Sequence, residues 1–246
     1  MHVIPIKIAK VRPFTDLLAL LNRSLAQLRE GSIVAITSKL VSISQGRMVK
    51  MGEVKKQELI EREADFFLAG KTRYHLTLTI KDSLLIPAAG IDESNGGGYY
   101  ILWPDDPQGV ANQVRAHLAR QWKLKAVGVM ITDSKTTPLR RGTTGVAIAH
   151  SGFAALRSYI GKPDLFGRKL KVTKANILDG LAAAAVLVMG EGSERIPLAV
   201  IEDVAFVDFQ RRNPVRRELA DLRIPLEDDL YAPLLKATPW RRGQGE

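Results

Sequence analysis

Three acidic side chains stand where apolar runs give way to polar, glycine-rich segments. They are Asp92 in AAGIDESNGGG, Asp133 in MITDSKTTPLRRG and Glu191 in VLVMGEGSERIP. The end of a strand or helix holds a carboxylate in place, while the adjoining loop lets a ligand reach backbone N–H groups. Converging carboxylates of this kind, with help from a serine, suit a Mg²⁺ or Mn²⁺ ion that also bridges phosphate oxygens. Taken singly, each acid is more typical of a helix cap or a turn.

A pair of arginines, Arg140 and Arg141, follows Asp133 within the same stretch. Adjacent guanidinium groups can grip a phosphate or a carboxylate in bidentate fashion, yet they are equally typical of a solvated loop. Lys39, at the end of the apolar run SIVAITS, is placed either to reach a phosphate or to lie on the surface. Neither GEGSER nor DESNGGG has the spacing of a Walker or dinucleotide motif, so both loops indicate anion binding only loosely.

The composition narrows the chemistry further. The chain has 246 residues, no cysteine and four scattered histidines, which excludes thiolate ligands, disulfides and cysteine nucleophiles. A catalytic metal should therefore be a hard ion held by carboxylates. The net charge of +10 favours either anionic partners or general solubility. Aromatic residues make up only 6% and do not alternate with basic ones, so a dedicated nucleic-acid binder is not favoured.

Neither a secretory signal peptide nor a membrane span is expected from the sequence. The N-terminal stretch MHVIPIKIAKVRP has no continuous apolar core, and the longest apolar run, LAAAAVLVMG, is typical of a buried helix. These features, together with the absence of cysteine, are compatible with a cytoplasmic protein.

Strands and helices that would position these residues alternate along the chain. The patterns predict a first strand in residues 2–8 and a capped helix in 16–31, followed by SIVAITSKLVSIS as one strand. They also predict the following elements in order: a helix in KKQELIEREADFFLAG, a hairpin in HLTLTIKDSLLIPAAGI, a strand in YYILWP, a helix in DDPQGVANQVRAHLARQWK, a strand in AVGVMIT, an apolar helix ending at Gly190, a strand in IPLAVIEDVAFV and a short helix in DLYAPLL.

The predicted fold class is α+β, or mixed α/β, with mixed β-sheets and packed helices, because strands alternate with helices yet also form hairpins. We expect one main domain in residues 1–209, with two lobes divided near residue 70 as an alternative. Residues 210–246 are charged and punctuated by proline, and we expect them to form an extension that packs on the body.

Five segments in this order resemble the coenzyme F420-0:L-glutamate ligase family, F420 being a deazaflavin coenzyme. They are TSKLVSISQGR, AAGIDESN, ITDSKTTPLRRGTTGVAIAHSG, IGKPDLFGRKLKVT and AAAAVLVMGEGSERIP, and the resemblance runs from about residue 3 to residue 205. ILWPDDP and the DLYAPLL…W tail resemble a bacterial branch labelled as folate-metabolism γ-glutamate ligases. The resemblance implies an α+β fold specific to the family and an intertwined homodimer.

The activity that this resemblance implies is amide ligation. Members of the family use GTP and divalent metal, Mg²⁺ or Mn²⁺, to join the amino group of L-glutamate to an acceptor carboxylate. The implied route passes through an acyl phosphate, with the metals neutralising charge between the β- and γ-phosphates. F420-0, a folate or another carboxylate remains open as the acceptor, and ATP remains open as the nucleotide.

Residue roles also come from the resemblance. It implies that Asp92 and Asp133 hold one metal ion and that Ser134 and Glu191 help to hold a second. It implies nucleotide contacts from Asn95, Ser38 and Lys39, from the segment Ile8, Ala9, Lys10 and Val11, and from the loop between Met189 and Ile196, which includes Gly190 and Gly192. Arg140 and Arg141 fall in the family's RRG element and would bind phosphate or carboxylate.

Some residues depart from the family pattern. Ile43 replaces a lysine expected near the nucleotide, Asp179-Gly180 replaces an acidic pair, and His150 stands where small residues are common. These changes leave the metal acids intact, but they keep two alternatives open. One is a repurposed nucleotide- or anion-binding relative without ligase activity, and the other is a basic nucleic-acid-binding protein.

Overall fold

A computed structural model describes residues 1–245 and divides them among four sheets and seven helices. The strands are β1 (His2–Ile6), β2 (Ser32–Thr37), β3 (Met48–Lys50), β4 (Phe66–Leu68), β5 (Leu78–Lys81), β6 (Leu84–Pro87), β7 (Tyr99–Ile101), β8 (Val127–Thr136), β9 (Thr143–Ser151), β10 (Leu156–Ser158), β11 (Lys174–Asn176), β12 (Leu198–Glu202) and β13 (Trp240–Arg242). The helices are α1 (Leu17–Ser24), α2 (Ser38–Gln45), α3 (Lys56–Glu63), α4 (Pro107–Gln121), α5 (Ile177–Met189), α6 (Arg216–Leu222) and α7 (Ala232–Ala237), with a 3₁₀ turn at Ala88–Gly90.

A five-stranded sheet in the order β1-β12-β2-β8-β9 forms the centre of the fold. β2 and β8 run parallel, and every other neighbouring pair in this sheet is antiparallel. The parallel register places Thr37, the last residue of β2, beside Thr132 of β8, which continues to Thr136. Ser38 follows β2, and Asp133 is the next residue along β8, so both lie beside the carboxyl end of β2. Ligands commonly bind near the carboxyl ends of parallel strands.

Alternation along the central strands builds one core on each face of this sheet. On β2, Val34 and Ile36 pack toward α1 and α4, while Ile33 and Ala35 pack toward α5. This follows from the two-residue period of a strand, and both sets are apolar because both faces are covered. The sheet is thus a rigid layer between helices, able to hold the residues at its edge.

A second, four-stranded antiparallel sheet has the order β13-β4-β5-β6. Its strand β13 comes from the C-terminal segment and pairs with β4, so that segment completes the sheet as it packs on the body. The remaining pairs are β3 with β7 and β10 with β11. The predicted α+β class with mixed sheets and packed helices is confirmed, while the predicted division at residue 209 stays a prediction.

The main difference from the predicted elements lies in SIVAITSKLVSIS, where the strand ends at Thr37 and the rest forms α2. Leu40 and Val41 are buried in the core beside α1, so tertiary packing overrides the β preference of the sequence. Gly46 ends α2 with a φ of 72°. The helix predicted in KKQELIEREADFFLAG also ends early, because FFL forms the strand β4. This strand pairs with β13 on one side and with β5 on the other.

The longest helix, α4, has 15 residues. None of the helices in residues 1–245 is both long enough and apolar enough to cross a membrane.

Candidate active site

Two predicted site residues meet through the start of α2. Lys39 lies in the first turn of this helix, directly after β2, and its Nζ lies 2.5 Å from Oδ2 of Asp92. The same ammonium group donates to the backbone oxygen of Ser94, at 3.0 Å, and to its hydroxyl, at 3.2 Å. Lys39 therefore occupies the position at Asp92 where a bound cation would be expected.

Asp92 is held at the start of its loop by backbone and side-chain contacts. Its backbone exchanges hydrogen bonds with Ile101, and its carboxylate accepts from the backbone N–H of Ser94, at 2.6 Å, and from the Ser94 hydroxyl, at 3.0 Å. Burial opposes the negative charge, but the Lys39 ammonium and the Ser94 donors outweigh it, so the pKa of Asp92 is lowered. Asp92 is therefore ready to bind a cation without first losing a proton.

Asp133 lies on β8, one residue past the Thr37–Thr132 pair. Its Oδ1 accepts from the backbone N–H of Ser134, at 2.8 Å, and its Oδ2 accepts from the indole N–H of Trp103. Burial raises the pKa of Asp133 to about 6, and the negative charge of Asp92 adds to this effect. The two carboxylates are thus near enough to repel each other, and a divalent cation between them would relieve that repulsion.

Ser134 belongs to the opposite face of the sheet. It pairs with Gly145 on β9, and a Cβ added to Gly145 would lie 2.3 Å from the backbone oxygen of Ala182 in α5. Because neighbouring strand residues alternate, Ser134 faces α5 while Asp133 faces α2. This arrangement suits the prediction that Asp133 belongs to one cation site and Ser134, with the loop after α5, to another.

The donors fit a divalent cation in their chemistry but only partly in their arrangement. Asp92 and Asp133 offer the carboxylate oxygens that Mg²⁺ and Mn²⁺ prefer. In the described part of the chain, however, no group of three or more His, Cys, Asp or Glu side chains is arranged to hold a metal. Glu191 is exposed, and among residues 1–245 it has no hydrogen bond or ion pair. The metal assignment of Asp92, Asp133, Ser134 and Glu191 therefore stays a prediction.

The loop from Met189 to Ile196 joins two other predicted segments. Nδ2 of Asn95 donates to the backbone oxygen of Gly192 at 3.0 Å, and the backbone N–H of Ile8 donates to the oxygen of Arg195 at 3.0 Å. Glu194, which the sequence did not single out, accepts from the N–H of Gly192 at 2.8 Å. The loop, Asn95 and the segment that starts at Ile8 thus lie together, as expected of parts that contact one nucleotide.

The two arginines lie apart from these contacts. Arg140 and Arg141 are exposed in the connection between β8 and β9, and Leu139 before them is fully exposed. Within residues 1–245 neither guanidinium group contacts Asp92, Asp133 or Lys39 by a hydrogen bond or ion pair. Their proposed role therefore needs a ligand or a partner that reaches this hairpin, and it stays a prediction.

Besides Glu194, the sequence pattern did not identify Ser94 and Trp103 as site residues. Ser94 could have been found, because an Asp followed two residues later by Ser is typical of a turn in which the carboxylate accepts from the backbone. Trp103 gave no such signal, since a tryptophan after a strand is ordinarily a core residue. Its contact with Asp133 depends on tertiary packing over 30 residues of sequence.

Comparisons with known proteins agree with the motifs. A family model described as F420-0:gamma-glutamyl ligase matches residues 5–203. The coenzyme F420:L-glutamate ligase of Methanopyrus kandleri is 34% identical over 237 residues, which cover 89% of this chain and 92% of the relative. The corresponding ligase of Archaeoglobus fulgidus is 35% identical over 202 residues, covering 76% of this chain and 81% of the relative. The resemblance drawn from the motifs is confirmed, and the chain belongs to the F420-0:gamma-glutamyl ligase family.

Proposed function

We propose that this protein is a GTP-dependent γ-glutamyl ligase that joins L-glutamate to the carboxylate of an acceptor such as F420-0. The observation that carries the proposal is the grouping of Lys39, Asp92 and Asp133 beside the carboxyl end of β2. Lys39 pairs with Asp92, and Asp133 on the neighbouring strand β8 lies near enough for both charges to affect its pKa. A lysine and two carboxylates grouped in this way, beside a glycine-containing loop, suit the binding of phosphates together with a divalent cation. The ligase names of the relatives support the choice of reaction.

The proposed reaction has two steps. An oxygen of the acceptor carboxylate first attacks the γ-phosphorus of GTP, so that a new O–P bond forms, the bond to the β-phosphate oxygen breaks and GDP leaves. The amine of L-glutamate then attacks the carbonyl carbon of the acyl phosphate. A C–N bond forms, the C–O bond to phosphate breaks, inorganic phosphate leaves and the amine loses a proton.

In this mechanism the chain's own residues bind and orient the reactants. Asp92 and Asp133 would hold a divalent cation, which when bound supplies charge neutralisation for the β- and γ-phosphates. The backbone of Ile8–Val11, Asn95 and the loop from Met189 to Ile196 would hold the nucleotide. Ser134 and Glu191 would serve a second cation from the α5 side of the sheet, and Arg140 and Arg141 would bind the anionic acceptor or the acyl phosphate.

Lys39 offers an explanation for the missing lysine at position 43. Residues four apart on a helix share one face, so Lys39 and Ile43 are neighbours on α2. When a cation binds to Asp92, the Lys39 side chain would be released and could contact a phosphate. It would do so from a position one helical turn before residue 43. This favours the ligase over a repurposed binder, for which the loss of the family lysine was the motivation.

The partners follow from the reaction. We place the enzyme in the cytoplasm, where GTP and L-glutamate are available, and keep a folate as an alternative acceptor and ATP as an alternative nucleotide. A homodimer is also proposed. It is supported by the segment between β10 and β11, where Leu165, Phe166 and Val172 are each more than four-fifths exposed, since clustered exposed apolar side chains are typical of interaction surfaces.

A direct assay tests this function. The protein is incubated with GTP or ATP, Mn²⁺, L-glutamate and candidate acceptors, and the products are examined by mass spectrometry. We expect the acceptor to gain one glutamyl residue and the nucleotide to lose its terminal phosphate. Asp133→Ala should abolish turnover, while Asp203→Ala, which removes an exposed carboxylate paired with His2, should leave it unchanged. Nucleotide bound but never hydrolysed, with no acceptor gaining mass, would favour the repurposed binder.

A further inference from the structure

Trp103 is a buried residue that contacts the candidate site through a single hydrogen bond. It follows β7, is 3% exposed, and its indole N–H donates to Oδ2 of Asp133. Among residues 1–245 it is the only side chain that donates to Asp133. The other donor is the backbone N–H of Ser134 on Oδ1, so the two contacts together fix both carboxylate oxygens.

The position of the indole ring is itself set by its surroundings. Gly90 lies against it with a φ of 73°, and a Cβ at that position would come within 2.1 Å of the indole nitrogen. The Lys81 ammonium lies 5.9 Å from the ring centroid, and Nε of Arg47 donates to the Trp103 carbonyl at 3.1 Å. The ring therefore has little freedom to turn away from Asp133.

These supports connect the second sheet to the site. Arg47 and Lys81 both pair with Oε2 of Glu63, at 2.7 and 2.9 Å, and Glu63 is the last residue of α3. Lys81 lies on β5, and Gly90 ends the turn that follows β6. Trp103 thus links the four-stranded sheet and α3 to Asp133 of the central sheet.

The type of donor matters for cation binding. At Asp92 the donor is the Lys39 ammonium, a full positive charge that competes with any cation for the same oxygen. At Asp133 the donor is a neutral N–H, which orients the carboxylate and stabilises its charged form without repelling a cation. Hydrogen bonds to metal-ligating side chains of this kind commonly tune affinity, and their loss costs about 10–100-fold.

We propose that Trp103 is a positioning residue that orients the Asp133 carboxylate for cation binding through its indole N–H. The inference rests on the proposed function, because it assumes that Asp133 binds a divalent cation. It adds a residue outside the acidic motifs, and it makes cation affinity depend on the packing of the second sheet against Trp103.

The test compares two variants that each remove one indole N–H. Trp103→Phe keeps a buried aromatic ring, and Trp240→Phe is the matched control, since the indole of Trp240 donates to the backbone oxygen of Leu235 instead. Mn²⁺ binding is measured by calorimetry in the presence of GDP. We expect Trp103→Phe to weaken Mn²⁺ binding about 10-fold or more, and Trp240→Phe to leave it unchanged, with both variants folded by circular dichroism.

A second measurement reports on the contact without metal or turnover. The indole N–H signal of Trp103 in a ¹⁵N NMR spectrum, identified by its loss in Trp103→Phe, should move in Asp133→Asn while those of Trp122 and Trp240 stay in place. An unmoved signal, or equal Mn²⁺ affinity in Trp103→Phe and wild type, overturns this inference alone. A wild-type protein that binds no Mn²⁺, with or without GDP, overturns the metal of the proposed function and this inference with it.

Discussion

At the scale of single residues, the two carboxylates of the site differ in their electrostatic state. The Lys39 ammonium and the Ser94 donors lower the pKa of Asp92 against the opposing effect of burial, while burial raises the pKa of Asp133 to about 6. Without a cation, the negative charge of the site is therefore reduced in two ways. The Lys39 ammonium group compensates the charge of Asp92, and Asp133 takes up a proton more readily than an exposed carboxylate. Cation binding must displace the ammonium group from Asp92 and, below about pH 6, also the proton from Asp133.

Lys39→Gln should separate the two roles proposed for this lysine. Without the ammonium group at Asp92, a divalent cation no longer competes with it, so Mn²⁺ binding to the nucleotide-free protein should tighten several-fold. The KM for GTP should rise, because the phosphate loses a charged contact. Calorimetry and steady-state kinetics measure the two effects. Weaker Mn²⁺ binding in Lys39→Gln would show that the ammonium group does not stand in for the cation.

The raised pKa of Asp133 gives a pH dependence with a defined sign. Between the unfolded value of 3.8 and about 6 the folded protein holds the proton that the unfolded chain has lost, so this group contributes stability that falls as pH rises through that window. Above about pH 6 the carboxylate is ionised and ready for a cation. Mn²⁺ affinity should therefore fall by about tenfold per pH unit below 6. Calorimetry at pH 5, 6 and 7 measures this, and an affinity that does not change would contradict it.

At the scale of elements, the sequence correctly predicted helices and strands whose pattern lies within the segment itself. The prediction was wrong where packing against distant residues determines the secondary structure. α4 and α5, the hairpin β5–β6 and the strand AVGVMIT were predicted because caps, turns and apolar runs lie within the segment itself. SKLVSISQ was predicted as strand but forms α2, since the burial of Leu40 and Val41 against α1 is not visible locally. Likewise, Asp92 and Asp133 were singled out because each follows an apolar run, although β8 continues through Asp133 to Thr136. Trp103 gave no such local signal.

The contact of α5 with β9 depends on one glycine. A Cβ at Gly145 would lie 2.3 Å from the backbone oxygen of Ala182, so Gly145→Ala should force the helix outward and destabilise the protein by about 1–3 kcal/mol. Gly180 is the matched control. It lies in the same helix with open space around it, and Gly180→Ala should stabilise by about 0.5–1 kcal/mol. Denaturant unfolding measures both, and equal effects would contradict close packing at Gly145.

At the scale of the whole molecule, the C-terminal segment packs on the rest of the chain through β13 and α6, among other contacts. β13 completes the four-stranded sheet, and α6 lies over His150, where a cavity of about 100 Å³ is lined by Phe153, Glu218 and others. His150 is fully buried, and in the described chain its Nδ1 has no hydrogen-bond partner. The C-terminal segment therefore covers a buried imidazole nitrogen that lacks a hydrogen-bond partner in the described chain.

His150→Phe should remove this defect. Burial lowers the pKa of His150 to about 4, so between 6.5 and 4 the unfolded chain takes up a proton that the folded protein does not. The wild type should accordingly lose stability as pH falls through that window. A phenylalanine removes the unsatisfied nitrogen and keeps an aromatic ring beside Phe153, so its melting temperature should exceed that of wild type most clearly near pH 5. An equal pH dependence in the two proteins would contradict this.

The proposed homodimer is tested on the segment between β10 and β11. Leu165 and Phe166 are 99% and 95% exposed, and large apolar side chains this exposed are costly unless a partner covers them. The double variant Leu165→Ser, Phe166→Ser should shift the protein from dimer to monomer in light scattering coupled to gel filtration. Leu230→Ser, which changes an exposed leucine of the C-terminal segment, is the control and should leave the dimer intact.

The same double variant also tests whether the site needs both subunits. If the segment between β10 and β11 brings the partner's Arg140 and Arg141 toward a ligand, ligation and dimerisation should be lost together. A monomer with full activity would instead place the complete site within one chain.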